Sequence, residues 1–258
     1  MLTFKNINAF TIFIIACLII SNDYFNISVF AYLFVILFWL ITTSIGSFNI
    51  TWNYHLKAYN AALNSKEKHI AITFDDGPNT EFTPQILKIL KSYNAKATFF
   101  CIGKHIEQHP DIIKEIINDG HTIGNHSYSH SPFFDFYSKR KVIAEIKKTD
   151  DIIEKLIGKK MNLFRPPYGV TNPSISKAIK QTAHKVIGWN IRSLDTVKNN
   201  EQEILNRIKN KIAPGSVILL HDSKAITVNV LEQLLLFLQE NNYKPVTVNT
   251  LFNIKAYA

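Results

Sequence analysis

The sequence has few of the residues that stabilise small secreted folds by cross-linking. Only two of its 258 residues are cysteines, Cys17 and Cys101, and they lie far apart along the chain. A disulfide framework is therefore excluded. The fold must rest on a hydrophobic core of its own.

Charged residues are scarce at the amino-terminal end. The first 60 residues contain three of them, Lys5, Asp23 and Lys57, whereas the net charge of the whole chain is +9. This uneven distribution excludes both a uniform soluble globule and a disordered polyelectrolyte. The excess of basic charge in the rest of the chain suits anionic lipid or an acidic polymer, and no nucleic-acid partner is predicted.

Two apolar runs fill the charge-poor segment, at residues 7–20 and 29–46. The second run is long enough to cross about 30 Å of hydrocarbon as a helix, and the first is marginal. We predict a membrane anchor over residues 1–60, with two transmembrane helices at about residues 7–21 and 29–46. The alternatives are a helical hairpin buried in a soluble domain and a lipoprotein that carries a lipid on Cys17.

The charges that flank the two runs bear on membrane orientation. Lys5 precedes the pair, Lys57 and Lys66 follow it, and the loop between the runs has no basic residue. The positive-inside tendency then favours both ends in the cytoplasm. Because a folded domain can be placed against so few charges, we predict an integral membrane protein and leave the side of the membrane open.

Residues 61–258 are predicted to form a single α/β domain. Short β-rich runs alternate with helical patterns, which is typical of a parallel sheet. Seven such runs are too few for a complete eight-stranded barrel and fit a distorted (β/α)7-type barrel, with an open doubly wound sheet as the alternative. Helix starts are indicated at Thr83, Ser138 and Asn172. The predicted strands span residues 70–74, 97–102, 121–125, 163–165, 185–191, 217–221 and 245–248.

Polar clusters follow these strands, at the edge where the carboxyl ends of parallel strands bring loops together. Asp75 and Asp76 leave the first strand side by side, and they repel each other unless a cation or a hydrogen-bond partner compensates. His126 and His130 follow the third strand and, on one helical turn, point the same way. Two imidazoles and one carboxylate form a ligand set for zinc, cobalt, nickel or iron.

Two further clusters follow later strands. Arg165 opens a loop in which Pro166 and Pro167 fix the backbone and Gly169 permits a sharp turn that exposes a backbone N–H. His221 closes a buried strand and is followed by an acid, which is the form of an oriented general acid or base. Taken alone, each cluster also has an ordinary structural interpretation, as a turn or as a capped core histidine.

Taken in order, these motifs resemble those of the polysaccharide deacetylase family, also described as the NodB homology domain or carbohydrate esterase family 4. The resemblance covers residues 68–250, with TFDDGP at 73–78, HSYSH at 126–130, RPPYG at 165–169 and ILLHD at 218–222. It implies a distorted (β/α) barrel that removes acetyl groups from N-acetylated, and sometimes O-acetylated, sugars with a divalent metal. Zinc is the expected metal, with cobalt or nickel as alternatives.

The resemblance also implies roles for individual residues. Asp75 resembles the general base, His221 the general acid, and Arg165 the residue that orients the base. A metal-activated water with a separate base and acid predicts a bell-shaped pH profile. The remaining matched positions are the metal ligands Asp76, His126 and His130, the backbone N–H of Tyr168 as oxyanion donor, and Pro167 and Leu219 as further parts of the substrate site, with Leu219 in the acetyl pocket wall.

The fourth motif departs from the family pattern. Where the family has an acid and a tryptophan, this sequence has Arg192 and Thr196 after Trp189. Asp195 is retained, and we expect it to pair with Arg165 and count it among the catalytic positions. Arg192 either binds an anionic group of the substrate or is simply a surface charge.

Together these observations predict a membrane-anchored, metal-dependent deacetylase. Its expected substrate is an N-acetylhexosamine unit of an envelope glycan, either peptidoglycan-like or lipid-linked, and no obligate protein partner is implied. The alternatives are a non-catalytic carbohydrate-binding relative, an O-acetyl esterase on the same fold, and a two-histidine, one-carboxylate iron oxygenase, which the ligand types alone permit.

Overall fold

The computed structural model describes residues 2–63 and 67–258, so Lys66, one of the basic residues that flank the apolar runs, lies outside the described residues. The chain begins with two apolar helices, α1 (Phe4–Phe25) and α2 (Val29–Phe48). Only 11% of the most apolar stretch of each helix is buried. By length and composition both helices are able to cross a membrane, and a signal sequence shares these properties.

In the described part of the chain after α2, a curled sheet of nine parallel strands forms the centre. The strands are β1 (Ala58–Tyr59), β2 (His69–Asp75), β3 (Ala97–Cys101), β4 (Thr122–Asn125), β5 (Leu163–Phe164), β6 (Lys185–Ile187), β7 (Ile191–Arg192), β8 (Val217–His221) and β9 (Lys244–Pro245). Their order is β1-β6-β5-β4-β3-β2-β8-β7, with β9 beside the start of β2. The predicted distorted (β/α) barrel is confirmed.

Helices connect the strands and cover the sheet. Ser138 and Asn172 cap α6 and α7 as predicted, since each side chain accepts a backbone N–H three residues on. Thr83 does not cap α3; its buried hydroxyl donates to Asp222 at 2.5 Å. The helices are α3 (Phe82–Ser92), α4 (Gly103–Gln108), α5 (Pro110–Asn118), α6 (Lys139–Ile157), α7 (Pro173–Thr182), α8 (Glu201–Lys209), α9 (Ala225–Glu240) and α10 (Val248–Phe252).

Strand β2 divides its side chains between two faces. Ile70, Ile72 and Phe74 are fully buried in the core that the covering helices share, where burial of each such side chain contributes about 1.5–3 kcal/mol. Thr73 and Asp75 point to the opposite face, because side chains alternate along a strand. The polar residues of β2 therefore project into the interior of the curled sheet.

Three details of the sheet differ from the predicted strands. Residues 185–191 form two strands, β6 and β7, because residues 188–190 leave the ladder between them. Residues 245–248 are not a strand throughout, since β9 ends early and Val248 begins α10. Strand β1 was not predicted. It pairs in parallel with β6, so the sheet includes two residues of the segment 1–60.

The base of the helical hairpin is attached to the sheet domain. The backbone N–H of Phe4 donates to the Tyr54 carbonyl at 2.9 Å. Gly46 lies so close to the Tyr54 ring that a Cβ atom there would clash with it. The Ser47 carbonyl accepts a hydrogen bond from the backbone N–H of Thr171 at 2.9 Å. These contacts fix the end of α2 against a loop at the carboxyl edge of the sheet.

Candidate metal centre and active site

The register of the sheet places an acid and a histidine side by side. Asp75, the last residue of β2, is paired with His221, the last residue of β8. On its other side Asp75 is paired with Phe100 in β3. Residues that are far apart in sequence thus meet at the carboxyl edge of the sheet, where active sites of this architecture are built.

Asp75 is held by a buried arginine. The Asp75 residue is only 4% exposed, and its Oδ1 accepts a hydrogen bond from Nη1 of Arg165 at 2.6 Å. Arg165 is fully buried, and its N–H groups also donate to the Thr73 hydroxyl and to the carbonyls of Ile187 and Gly188. Removing two charges from water costs several kcal/mol, which the ion pair and these hydrogen bonds offset. Oδ1 of Asp75 is thus fixed, whereas Oδ2 accepts no hydrogen bond within residues 2–63 and 67–258.

Asp76, His126 and His130 converge on one point. Their ligand atoms all lie within 4.8 Å of one another. Oδ1 of Asp76 is 3.6 Å from Nε2 of His126 and 3.4 Å from Nε2 of His130. Ligand atoms about 2.1 Å from a tetrahedral zinc ion are about 3.4 Å apart, so these side chains fit such a cation with little rearrangement. Oδ2 of Asp75 lies close by, 3.8 Å from Nε2 of His126.

The two loops that carry these side chains contain left-handed backbone conformations. The φ angle is 78° at Asp76, 64° at Ser127 and 47° at His130. Residues other than glycine adopt such angles only where the surroundings enforce them, often at functional sites. The expectation of a helical turn between His126 and His130 is wrong. These residues form an irregular turn, which folds back so that the two imidazole rings lie 4.8 Å apart.

Hydrogen bonds orient the His126 ring and the turn that follows it. Nδ1 of His126 lies 2.8 Å from the Arg165 carbonyl oxygen, so Nδ1 carries the proton and Nε2 is free to bind a cation. Glu145, on α6, accepts hydrogen bonds from the backbone N–H groups of Tyr128 and Ser129 and from the Ser129 hydroxyl. All three bonds reach a single carboxylate oxygen, so Glu145 fixes the turn between the histidines.

The electrostatics of the cluster favour cation binding. Burial alone would raise the pKa of Asp76, but the hydrogen bond with His126 and the charges of the neighbouring histidines hold it well below its ordinary value. Burial, together with the charge of His126, lowers the pKa of His130 to about 4. Burial opposes the charged form of His126, but Asp75 and Asp76 raise its pKa. At neutral pH Asp76 is an anion and His130 a neutral imidazole, the forms that bind metal.

His221 is oriented by Asp195. Nδ1 of His221 lies 2.8 Å from Oδ1 of Asp195, and Oδ2 of Asp195 accepts the backbone N–H of His221. The hydroxyls of Ser193 and Thr227 donate to the same carboxylate. The expectation that Asp195 pairs with Arg165 is wrong, because both Asp195 oxygens are occupied by these donors and the Arg165 guanidinium is bound elsewhere.

The Asp195 contact also sets the charge of His221. Burial works against the imidazolium form, but the hydrogen bond to Asp195 and the charges of Asp195, Asp75 and Asp76 raise the pKa of His221 above its ordinary value. Burial would raise the pKa of Asp195, but the hydrogen bond from His221 lowers it. His221 is therefore suited to carry and donate a proton near neutral pH.

The site opens into a cavity of about 220 Å³. Arg165 is buried beneath Asp75, and Asp195 lies behind His221, so both support the lining from behind. Pro167 is buried in the loop before Tyr168 and is not among the described residues that line the cavity. The lining residues are Asp75, Asp76, His126, His130, Tyr168, Gly169, Trp189, Arg192, Thr196, Leu219 and His221.

Glu145 and Thr227 belong to no recognised motif, and each acts on the site through another residue. Thr227 gives no signal in the sequence, because its role depends on how α9 packs against the Asp195 loop. Glu145 does give a signal in the sequence. It lies on the buried face of α6 with Val142, Ile146 and Thr149, and an acid on such a face requires buried partners.

Known proteins resemble the chain in sequence. Residues 62–187 match the family described as polysaccharide deacetylase. The chain is 35% identical over 193 residues to the Bacillus subtilis peptidoglycan-N-acetylmuramic acid deacetylase PdaC, covering 75% of this chain and 40% of that protein. It is 35% identical over 199 residues to a Bacillus cereus peptidoglycan-N-acetylglucosamine deacetylase, covering 76% of this chain and 71% of that protein. The chain spans less than half of the first relative and most of the second.

A solved structure shares the fold. The crystal structure of the Bc1960 peptidoglycan N-acetylglucosamine deacetylase aligns with a TM-score of 0.73 and 33% identity. The alignment covers 78% of this chain and 94% of that one. Nearly the whole of that protein therefore corresponds to the larger part of this chain.

Replacing Glu145 should weaken cation binding. In Glu145→Ala the turn between His126 and His130 loses the acceptor of three hydrogen bonds, and we expect about 10- to 100-fold lower zinc affinity. Calorimetric titration of the metal-free chain measures the affinity. Glu154→Ala, on the same helix and in an ion pair with Lys160 at the surface, is the matched control and should bind zinc normally. Unchanged affinity in Glu145→Ala would contradict this role.

Proposed function

The chain belongs to the polysaccharide deacetylase family, and on this basis we propose that it is a metal-dependent hydrolase that removes N-acetyl groups from N-acetylhexosamine units of an envelope glycan. Two of its relatives are named for peptidoglycan substrates. One observation carries the proposal: a three-residue ligand set and an acid–base pair on adjacent strands line the same cavity.

Asp76, His126 and His130 are the proposed metal ligands. One carboxylate and two imidazoles suit zinc, the metal we propose, with cobalt or nickel as alternatives. Three protein ligands leave positions for water and substrate. A bound divalent cation would lower the pKa of a water molecule and polarise the acetamide carbonyl.

Asp75 is the proposed general base. Its Oδ1 is bound to Arg165, and its free Oδ2 faces the ligand cluster. Oδ2 takes a proton from the attacking water as the water oxygen bonds to the carbonyl carbon of the acetamide. Arg165 acts as a positioning residue, because it holds the carboxylate in the orientation that leaves Oδ2 free.

His221 is the proposed general acid. Because Nδ1 is bound to Asp195, Nε2 carries the proton that can be transferred. When the carbon–nitrogen bond breaks, this proton goes to the leaving nitrogen. The products are acetate, which keeps the oxygen of the water, and the free amine of the sugar. Asp195 positions the ring and stabilises its charged form.

The loop after Arg165 supplies the proposed contacts to the substrate. Tyr168 has a left-handed backbone with φ of 59°, and its N–H is the proposed donor to the oxyanion that forms from the acetyl carbonyl. Pro167 fixes the backbone before this residue. Leu219 lines the cavity and is the proposed wall of the acetyl pocket.

We further propose that α1 and α2 anchor the chain in a membrane as an intact hairpin. Their large apolar side chains are mostly exposed, which is unfavourable in water. Trp39 Nε1 donates to Asn8 Oδ1 at 2.6 Å, and Phe4 is bound to Tyr54. Cleavage before Cys17 would remove both contacts, so the packing favours a hairpin over a signal sequence or a lipid on Cys17.

Two substitutions should separate the base from the metal ligands. Asp75→Asn should retain about one zinc ion per chain. It should also lose about 100-fold or more of the acetate release, because the proton acceptor is gone. His126→Ala should lose both metal and activity. Elemental analysis measures the metal, and an acetate assay with N-acetylglucosamine oligomers and peptidoglycan measures turnover.

Asp111→Asn is the control for these variants, since the Asp111 side chain is 91% exposed and lies on α5. It should match the unmodified chain in metal content and turnover. Equal metal content in Asp75→Asn and His126→Ala would contradict the division of roles. If the zinc-loaded unmodified chain released no acetate from any N-acetylated glycan, the proposed function would be wrong.

The pH dependence of kcat/KM tests the role of His221. The imidazolium is the proton donor, so activity is retained below the pKa of His221 and lost as pH rises through it. Asp195 raises that pKa, so Asp195→Asn should move the alkaline fall of activity to lower pH, by roughly one pH unit or more. Asp119→Asn, at a surface pair with Lys91, should leave the profile unchanged. An unshifted alkaline limb in Asp195→Asn would rule out His221 as the acid.

A further inference from the structure

A second cavity, of about 490 Å³, lies beside the catalytic cavity at the end of α2. Tyr168, Trp189 and Arg192 line both cavities, so the two share one rim. The other side of the second cavity is the end of a helix that is long and apolar enough to cross a bilayer. This side consists of Ser44, Ile45, Phe48, Asn49 and Ile50.

The end of α2 and the catalytic rim form one packed unit. The Ser47 carbonyl accepts the backbone N–H of Thr171, which lies three residues after Tyr168. Ile50 is buried in the same hydrophobic cluster against which Trp189 packs. If α2 spans a bilayer, the catalytic cavity therefore opens at the membrane surface, next to the point where the helix leaves the hydrocarbon.

Exposed apolar side chains of α2 lie on one side of the second cavity, and one arginine lies on the other. Ile45 is 45% exposed and Phe48 is 71% exposed, both on α2. Arg192 is exposed, and among the described residues that line this cavity it carries the only charge. Within residues 2–63 and 67–258, its guanidinium has no hydrogen bond or ion pair to another side chain. An exposed, unpaired guanidinium is suited to bidentate binding of a phosphate.

We propose that the substrate is a lipid-linked N-acetylhexosamine. Its acetamido sugar enters the catalytic cavity, its phosphate or diphosphate binds Arg192, and its hydrocarbon chain passes Ile45 and Phe48 into the bilayer. A polymer strand without a lipid phosphate would leave both Arg192 and the α2 side of the cavity unused. The proposal rests on the proposed deacetylase function and on the membrane hairpin.

The test supplies the zinc-loaded full chain, in phosphatidylcholine vesicles, with one of three compounds. The first is N-acetylglucosaminyl-diphospho-undecaprenol, which has both the diphosphate and the lipid. The second is UDP-N-acetylglucosamine, which has the diphosphate without the lipid, and the third is N-acetylchitotetraose, which has neither. Acetate release gives kcat/KM for each. We expect kcat/KM for the lipid-linked sugar to exceed the other two values by about tenfold or more.

Two substitutions test whether Arg192 and Phe48 cause the preference for the lipid-linked sugar. Arg192→Gln removes a charged hydrogen-bond donor and should lower the ratio of kcat/KM for the lipid-linked sugar to that for N-acetylchitotetraose by about tenfold. Phe48→Ser removes apolar contact with the lipid and should lower it by about threefold or more. The matched controls are Arg140→Gln, an exposed arginine on α6, and Phe25→Ser, which is 76% exposed at the far end of α1. Neither control should change the ratio.

The outcomes separate this inference from the proposed function. The inference would be overturned, and a polymer substrate indicated, if kcat/KM for N-acetylchitotetraose equalled or exceeded that for the lipid-linked sugar and neither Arg192→Gln nor Phe48→Ser changed the ratio. Equal use of UDP-N-acetylglucosamine would overturn it in favour of a nucleotide sugar, and failure of the chain to float with vesicles would also overturn it. Absence of acetate from all three substrates, with release from peptidoglycan, would overturn the inference alone. Absence of acetate from peptidoglycan as well would contradict the deacetylase function itself.

Discussion

The buried Arg165 residue connects the two parts of the site. Its side chain holds the Asp75 carboxylate at 2.6 Å, and its carbonyl oxygen holds Nδ1 of His126 at 2.8 Å. One residue thus orients both the proposed base and a proposed ligand. A buried guanidinium is costly unless its donors are paired, and here the partners include Thr73 on β2 and Ile187 on β6. The charge is therefore satisfied only when these strands are correctly assembled.

Adjacent carboxylates acquire different roles from their surroundings. Asp75 continues strand β2 and is bound to Arg165, whereas the left-handed backbone at Asp76 turns its side chain towards His126 and His130. A separate hydrogen bond to Asp195 raises the pKa of His221 on the neighbouring strand. Because the surroundings of these side chains differ, one site can contain a separate acid, base and metal ligand.

The sequence predicts the residues that carry the chemistry of the site better than it predicts the contacts that support them. Asp75, Asp76, His126, His130 and His221 stand in spaced motifs directly after strands, and parallel strands bring such positions to one edge. The partner of Asp195 could not be predicted in this way. It depends on which donor lies nearest once β8 and its following helix are packed, and the structure places His221 there. Strand β1 is too short, at two residues, to give a periodic signal.

We expect Asp76, His126 and His130 to hold one cation while Asp75 stays bound to Arg165. A crystal structure of the full chain grown with zinc, with anomalous scattering recorded at the zinc edge, tests this most directly. We expect a single zinc peak about 2.1 Å from one carboxylate oxygen and two imidazole Nε2 atoms. A peak coordinated by Asp75 with Arg165 displaced, or three ligand side chains pointing apart with no peak between them, would contradict it.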